Sequence, residues 1–166
     1  EPPGMKTDPS CNILVVDDDN DVLYTAKLVL KGIFGKVDTL SRPEFIPDCL
    51  RDCKYDLILL DMNFARGNTS GKEGLTWLVR ILEIDPEARV ITTTAYGEID
   101  LAVQAMKLGA VDFIIKPWNK DQLLASIRNV FAQNRINKAY KKHKNNPPDS
   151  DHIQNSRYPP IFSMSA

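Results

Sequence analysis

Short apolar runs alternate with amphipathic segments along most of this chain. Residues 13–16 and 57–60 are apolar at every position, which is typical of strands that are buried on both faces of a sheet. Between such runs, apolar residues recur at the three- and four-residue spacing of a helix. The pattern predicts strands at residues 12–16, 36–40, 57–60, 89–93 and 112–115. It also predicts helices at residues 20–31, 43–51, 73–84 and 98–107, and a last helix from about residue 119.

Five strands that alternate with five helices indicate an α/β fold, in which helices cover both faces of a parallel sheet. Four of the predicted strands contain a continuous apolar run and are therefore expected to be central. The exception is residues 36–40, where polar and apolar positions alternate, as suits an edge strand. Ligands of open parallel sheets bind beyond the carboxyl ends of the strands, so we expect a functional site at that edge of the sheet.

Polar side chains follow four of the predicted strands at the point where each strand ends. They are Asp17 and Asp18 after the first strand, Asp61 after the third, Thr94 after the fourth and Lys116 after the fifth. At one edge of a parallel sheet, these residues would gather three carboxylates, a hydroxyl and an ammonium group. The ammonium of Lys116 would neutralise a phosphoryl oxygen, and the hydroxyl of Thr94 would hydrogen-bond another. The sequence therefore predicts a site for a divalent cation and a phosphoryl group.

The carboxylates at this edge are the candidate metal ligands and nucleophile. Mg²⁺ prefers oxygen ligands and usually binds one or two carboxylates while it keeps several waters. We expect Asp18 and Asp61 to bind it directly, Asp17 to act through a bound water, and the backbone carbonyl of Asn63 to add a neutral ligand. A carboxylate can also form an aspartyl phosphate. Asp61 is the better candidate for this role because it stands alone at the end of a central strand.

These motifs together resemble the receiver domain of two-component response regulators over about residues 10–135. The matching segments are residues 13–18, 59–61, 94–95, 109–110 and 113–117. The resemblance implies a flavodoxin-like, doubly wound (βα)5 fold with five parallel strands in the order 2-1-3-4-5. It also implies that Asp61 is the phosphoacceptor, and that Asp17 and Asp18 are the acidic pair that organises Mg²⁺.

The same resemblance implies how such a domain would act. Thr94 and Phe113 correspond to the switch residues, and Lys116 to the lysine that precedes a cis proline bond. A sensor histidine kinase or a phosphotransfer protein would donate the phosphoryl group, and the only catalysis would be the domain's own phosphorylation and dephosphorylation. The output surface, and a homodimer contact, would lie on the fourth helix, fifth strand and fifth helix. We therefore expect a signalling domain and not an enzyme.

Three segments are similar to the receivers of sigma-54-dependent transcription activators in particular. They are residues 94–97, 102–110 and 112–118. Such proteins continue into an ATPase domain and a DNA-binding domain. No glycine-rich phosphate-binding loop follows residue 135, so the chain is either part of a longer activator or a stand-alone regulator. The segment 62–73 is longer than is usual in the family and carries Ala65 where a proline is typical.

Two other hypotheses start from the same strand ends. Asp17-x-Asp19 after an apolar strand is similar to the start of haloacid-dehalogenase-type phosphatases, in which Asp17 would be the nucleophile. Asp21 stands where threonine or valine is expected in those hydrolases, and the chain is short for a substrate cap. A flavin-binding module of similar fold is a further possibility, but the acidic strand ends would repel a flavin phosphate.

The sequence divides into three regions by composition. Residues 1–10 are polar and rich in proline, and are predicted to be disordered. Residues 11–135 are the predicted receiver domain, and residues 136–166 are predicted to be a helix extension followed by a linker or tail.

Composition and charge limit the possible partners. The chain has 166 residues, a formal net charge of −1 and a pI near 6.2, so the whole chain lacks the basic character of a nucleic-acid-binding protein. Its longest apolar runs have the length of strands, so that no transmembrane helix is predicted, and no signal peptide is visible. The three cysteines (Cys11, Cys49 and Cys53) are predicted to be structural thiols in a reducing compartment. We therefore expect a cytoplasmic protein without membrane contact.

Overall fold

The computed structural model describes residues 7–64 and 72–145 of the chain. The strands are β1 (Asp8–Val16), β2 (Phe34–Leu40), β3 (Leu57–Asp61), β4 (Val90–Ala95) and β5 (Asp112–Lys116). The helices are α1 (Asn20–Leu30), α2 (Ile46–Asp52), α3 (Lys72–Ile84), α4 (Ile99–Leu108) and α5 (Lys120–Asn145). All strand pairs are parallel, and the order in the sheet is β2-β1-β3-β4-β5. The predicted α/β class and strand order are confirmed. The expectation that the fifth strand is central is wrong, because β5 lies at the edge of the sheet, next to β4.

The start of β1 differs from the prediction. The strand begins at Asp8, whose peptide N–H donates to the carbonyl of Ile33 at 2.7 Å and which pairs with Phe34 of β2. The two strands come so close here that a Cβ on Gly35 would lie 1.8 Å from the carbonyl oxygen of Pro9. The prediction of disorder over residues 1–10 is therefore wrong for residues 8–10, because their backbone lies against β2.

The central strands are held by apolar packing on both faces. β3 is buried at every position, as are the last four residues of β1. The core that covers one face joins these strands to α3 through side chains that include Leu14, Ile58, Leu60, Leu78 and Ile81. Each such buried side chain contributes about 1.5–3 kcal/mol relative to an exposed one. This packing fixes the strand ends, and with them the polar residues that follow.

Local backbone features set the connections around those strand ends. Asp19 caps α1, since its carboxylate accepts a hydrogen bond from the N–H of Asp21 at 2.9 Å. The start of α3 lies against the loop after β3, where a Cβ on Gly74 would come within 2.5 Å of the backbone of Met62. α4 ends at Gly109, which adopts a left-handed conformation with φ of 118°. The peptide bond between Lys116 and Pro117 is cis, as predicted.

The chain divides into two units after residue 130. The described residues are 7–64 and 72–130 in the first unit and 131–145 in the second. The first unit contains the sheet, α1 to α4 and the start of α5, where Leu123, Leu124 and Ile127 are buried. In the second unit the helix continues to Asn145 and exposes Ile136 and Tyr140. None of the helices within the described ranges is long and apolar enough to cross a membrane.

Candidate functional site

Three strands bring two carboxylates and one ammonium group together at the carboxyl edge of the sheet. Asp17 follows β1, Asp61 ends β3 and Lys116 ends β5. Lys116 Nζ lies 2.6 Å from Asp17 Oδ2 and 3.0 Å from Asp61 Oδ1. Both aspartates are buried, with 2% of each residue exposed. The shared ammonium offsets part of the repulsion between two carboxylates that the fold has removed from water.

Asp18 completes a cluster of three carboxylates. One ligand oxygen from each of Asp17, Asp18 and Asp61 lies within 4.8 Å of the others. Such a set of hard oxygen donors suits a divalent cation such as Mg²⁺ or Ca²⁺. Over residues 7–64 and 72–145, this is the one group of three or more histidine, cysteine or acidic side chains with the spacing of a metal site. The site can therefore hold a metal ion, and the predicted acidic cluster is present.

The electrostatics of the cluster favour the arrival of positive charge. Burial, together with the neighbouring carboxylate of Asp17, raises the pKa of Asp61 to about 6 against the opposing effect of Lys116. Burial and the charge of Asp17 also raise the pKa of Asp18. Burial lowers the pKa of Lys116, but the carboxylates of Asp61 and Asp17 outweigh it and raise that pKa overall. A bound cation would relieve the repulsion among these neighbouring carboxylates that the single ammonium group of Lys116 does not offset.

Thr94 lies one strand away, near the end of β4. It is fully buried, and its Oγ1 has no hydrogen-bond partner among the described residues. A buried hydroxyl without a partner costs about 1–3 kcal/mol, so this group is available to a new acceptor. Thr92, two residues earlier on the same face of β4, also has a buried Oγ1 that lacks a partner within the described ranges.

Phe113 lies on β5, half-buried and in register with Thr92. Thr94 pairs in the same register with Ile115. Because side chains two residues apart share a face of the sheet, Phe113 is on the face of Thr94 but one step further from the strand end. The structure thus places both predicted switch residues on neighbouring strands. The movement predicted for them remains a prediction.

Asn63 connects the strand edge to α4. Its peptide N–H donates to Asp61 Oδ1 at 3.3 Å, and its side-chain Nδ2 donates to Glu98 Oε2 at 2.9 Å. Sequence reasoning selected Asn63 only for its backbone carbonyl and missed Glu98. A carboxylate just before α4 was visible in the sequence, but the contact depends on the path of the loop after β3. Residues 65–71 of that loop, including Ala65, lie outside the described residues.

A cluster of two buried carboxylates and one exposed carboxylate lies beside a lysine at the carboxyl edge of a five-stranded parallel sheet. This arrangement defines a class of acidic sites suited to a cation and a phosphoryl group. Residues 13–128 match the response regulator receiver domain, and the chain belongs to this family. The match includes Asp17, Asp61 and Lys116. It leaves the haloacid-dehalogenase hypothesis, with Asp17 as the nucleophile, without support.

The chain is similar to several transcriptional regulators. It is 31% identical over 130 residues to the transcriptional regulatory protein ZraR of Escherichia coli O157:H7. The aligned region covers 78% of this chain and 28% of that protein. It is 35% identical over 111 residues to the alginate biosynthesis transcriptional regulatory protein AlgB of Pseudomonas aeruginosa. The aligned region covers 67% of this chain and 24% of that protein. The chain thus spans about a quarter of the length of these relatives.

Solved structures show the same fold. The N-terminal signal receiver domain of a two-component system response regulator from Bacteroides fragilis superimposes with a TM-score of 0.66 and 41% identity, over 73% of this chain and 96% of that one. NtrX from Brucella abortus, solved with ADP, superimposes with a TM-score of 0.73 and 25% identity, over 84% of this chain and 30% of that one. Both comparisons agree with the family membership.

Proposed function

We propose that Asp61 is the phosphoacceptor of this receiver domain, and that a phosphohistidine of a sensor kinase or phosphotransfer protein is the donor. In this transfer a bond forms between Asp61 and phosphorus while the bond from phosphorus to the histidine nitrogen breaks. The observation that carries the proposal is the convergence of Lys116, Asp17 and Asp18 on a buried Asp61. Receiver family membership supports the same assignment.

Asp17 is less suited to act as the nucleophile because both of its oxygens already accept hydrogen bonds. Oδ1 accepts from the N–H of Asp19 at 2.9 Å, and Oδ2 accepts from Lys116 at 2.6 Å. Within the described part of the chain, both contacts of Asp61, from Lys116 and from the N–H of Asn63, are made to Oδ1. Asp61 therefore has the oxygen that is more open to phosphorus.

The metal proposed for the acidic cluster is Mg²⁺. Asp18 and Asp61 would hold it directly, the carbonyl of Asn63 would supply a neutral oxygen, and Asp17 would hold a water bound to it. When bound, Mg²⁺ supplies positive charge that neutralises phosphoryl oxygens during transfer. The oxygen-only donor set and the excess negative charge around Asp61 support this choice.

Lys116 and Thr94 are proposed to hold the transferred group. Lys116 Nζ lies 3.0 Å from Asp61 Oδ1. An oxygen of a phosphoryl group on Asp61 therefore comes within reach of the ammonium group. The Thr94 hydroxyl makes no hydrogen bond in the described part of the chain and can donate to a second phosphoryl oxygen. The domain catalyses only its own phosphorylation and dephosphorylation in this proposal.

The output of the switch is proposed to be the surface formed by α4, β5 and the start of α5. Movement of Thr94 toward a phosphoryl group would leave space for Phe113 to turn inward, which would repack this surface. α4 exposes four apolar side chains, which suits a surface that gains a partner: Ile99, Val103, Met106 and Leu108. We propose a second copy of the domain as that partner.

The relatives support a role in transcription. Both curated relatives are named as transcriptional regulatory proteins and are about four times as long as the matched region. We propose that this domain regulates transcription in the cytoplasm, within a parent protein of the sigma-54-dependent type that carries the effector and DNA-binding domains. Direct contact with DNA is not assigned to the receiver domain itself.

Intact-protein mass spectrometry tests the proposal. Incubation with acetyl phosphate and Mg²⁺ should add the mass of one phosphoryl group to the wild-type protein, and EDTA should prevent the gain. Asp61→Asn should lose the gain, whereas Asp100→Asn, a matched change of an exposed aspartate on α4, should keep it. Full labelling of the Asp61→Asn protein would rule out Asp61 as the phosphoacceptor.

A further inference from the structure

The hydrogen bond between Asn63 and Glu98 joins the loop after β3 to the first residue before α4. Asn63 Nδ2 donates to Glu98 Oε2 at 2.9 Å across 35 positions of sequence, and both residues are half-buried. Asn63 Oδ1 is buried and has no partner in the described ranges. Among the described residues, Glu98 is therefore the one partner of the Asn63 side-chain amide.

Glu98 occupies the cap position of α4 but does not cap the helix with its side chain. Its carbonyl accepts the first helical hydrogen bond, from Ala102 at 3.3 Å, while its carboxylate reaches away to Asn63. A carboxylate at a helix start is already favoured by the helix dipole. The hydrogen bond from Asn63 also fixes the orientation of the Glu98 carboxylate. The position of this carboxylate therefore depends on the loop that follows Asp61.

Two hydrogen bonds therefore lead from the phosphorylation site to α4. The first runs from the N–H of Asn63 to Asp61 Oδ1, and the second from the Asn63 side chain to Glu98. No other residue intervenes between Asp61 and the start of α4 along this path.

We propose that the hydrogen bond from Asn63 to Glu98 is a latch that holds the start of α4 in the unphosphorylated arrangement, and that phosphorylation of Asp61 releases it. This inference rests on the proposed function of Asp61. It adds Glu98 as a positioning residue, which acts on the phosphorylation site only through Asn63.

Phosphorylation would oppose the latch at the Asn63 amide. It supplies three acceptor oxygens beside Asn63 that compete with Glu98 for this amide. Because the phosphoryl group carries about 1.5–2 negative charges, it is the stronger hydrogen-bond acceptor. Once the amide turns to the phosphoryl group, Glu98 loses its tie to the loop and the first turn of α4 becomes free to move.

Beryllofluoride, which occupies a carboxylate as an analogue of the phosphoryl group, provides the measurement. Glu98→Ala removes the latch, so the protein should bind beryllofluoride with Mg²⁺ about fivefold more tightly than wild type. Glu98→Gln keeps an acceptor oxygen for the Asn63 amide and should stay within about twofold of wild type. Glu87→Ala, which removes an exposed carboxylate that pairs with Lys54 at 3.7 Å elsewhere on the surface, is the matched control.

The same titration in an Asn63→Ala background tests whether the effect passes through Asn63. There the Glu98→Ala substitution should change the affinity by less than about 1.5-fold, because the two residues act as one unit. Amide hydrogen exchange should also be faster at residues 99–102 of the Glu98→Ala protein than of wild type. That readout does not depend on phosphoryl chemistry.

Three results would overturn the latch. They are an unchanged affinity in Glu98→Ala, a Glu98→Gln protein that behaves like Glu98→Ala, and a full Glu98→Ala effect in the Asn63→Ala background. A wild-type protein that fails to bind beryllofluoride would instead contradict the proposed function, so the two failures are distinguishable.

Discussion

The carboxyl group of Asp61 is buried beside Asp17, and these surroundings raise its pKa to about 6 from an ordinary value of 3.8. The folded protein therefore holds this proton more tightly than the unfolded chain does. By linkage, the contribution of the protonated Asp61 carboxyl to the free energy of unfolding falls as the pH rises from about 4 to about 6. This contribution is fully lost at neutral pH. The pKa shift of Asp61 corresponds to a change of at most about 3 kcal/mol in the free energy of unfolding.

Asp61→Asn should consequently stabilise the metal-free protein. In EDTA near pH 7, its melting temperature should exceed that of wild type by several degrees. The reason is that the substitution removes a carboxylate charge that is buried beside the carboxylate of Asp17. The difference should shrink toward pH 4, where the wild-type carboxyl is neutral as well. Calorimetry over this pH range checks the prediction, with Asp100→Asn as the control. An Asp61→Asn protein that melts at or below the wild-type temperature at pH 7 would contradict it.

Thr94 permits a second comparison, because β4 carries two buried hydroxyls that lack partners in the described ranges. Thr94→Val and Thr92→Val should each raise the free energy of unfolding of the unphosphorylated protein by about 1 kcal/mol. Only Thr94→Val should weaken beryllofluoride binding, by about tenfold, since Thr92 lies further from the strand end. Equal affinities of the two variants would show that the Thr94 hydroxyl does not bind the phosphoryl group.

Much of the candidate site follows from the positions of polar residues along the sequence. Asp17, Asp61 and Lys116 each lie where an apolar run ends, and parallel strands end at one edge. Glu98 could not be found in this way because it follows no strand directly. Its role depends on the path of the loop that carries Asn63, and local sequence patterns do not report such a contact.

At the scale of elements, the start of β1 depends on a close backbone approach to β2. Residues 8–10 read Asp-Pro-Ser and show no apolar alternation, so that no local pattern marks them as a strand. The partner of this segment, residues 33–35, lies about twenty-five positions along the chain, and only the assembled sheet brings the two together. By contrast, β3 and the end of β1 were predictable because both are continuously apolar.

Gly35→Ala tests the close approach. A methyl group there would meet the Pro9 carbonyl, so the protein should lose about 1–3 kcal/mol of unfolding free energy. Gly32→Ala is the matched control, since a Cβ on Gly32 has no neighbour within 4 Å. Chemical denaturation of both variants measures the difference. If the two proteins are equally stable, β1 does not extend to Asp8 in solution.

At the scale of the whole molecule, the compact unit of residues 1–130 contains every residue proposed for the site. Residues 146–166 lie outside the described ranges, and their sequence lacks helical or strand periodicity. Removal of residues 146–166 should therefore change the melting temperature by no more than about 2 °C and leave the phosphorylation rate unchanged. A large fall in melting temperature on truncation would mean that this segment packs on a folded unit.

The central claim is that Asp61 alone receives the phosphoryl group, and chemical trapping tests it most directly. Borohydride reduces an aspartyl phosphate to homoserine, which marks the modified residue permanently. After phosphorylation with acetyl phosphate and Mg²⁺, reduction and trypsin digestion, the peptide of residues 55–66 should carry homoserine at position 61. Homoserine at Asp17 or Asp18 instead, in the peptide that ends at Lys27, would contradict the account.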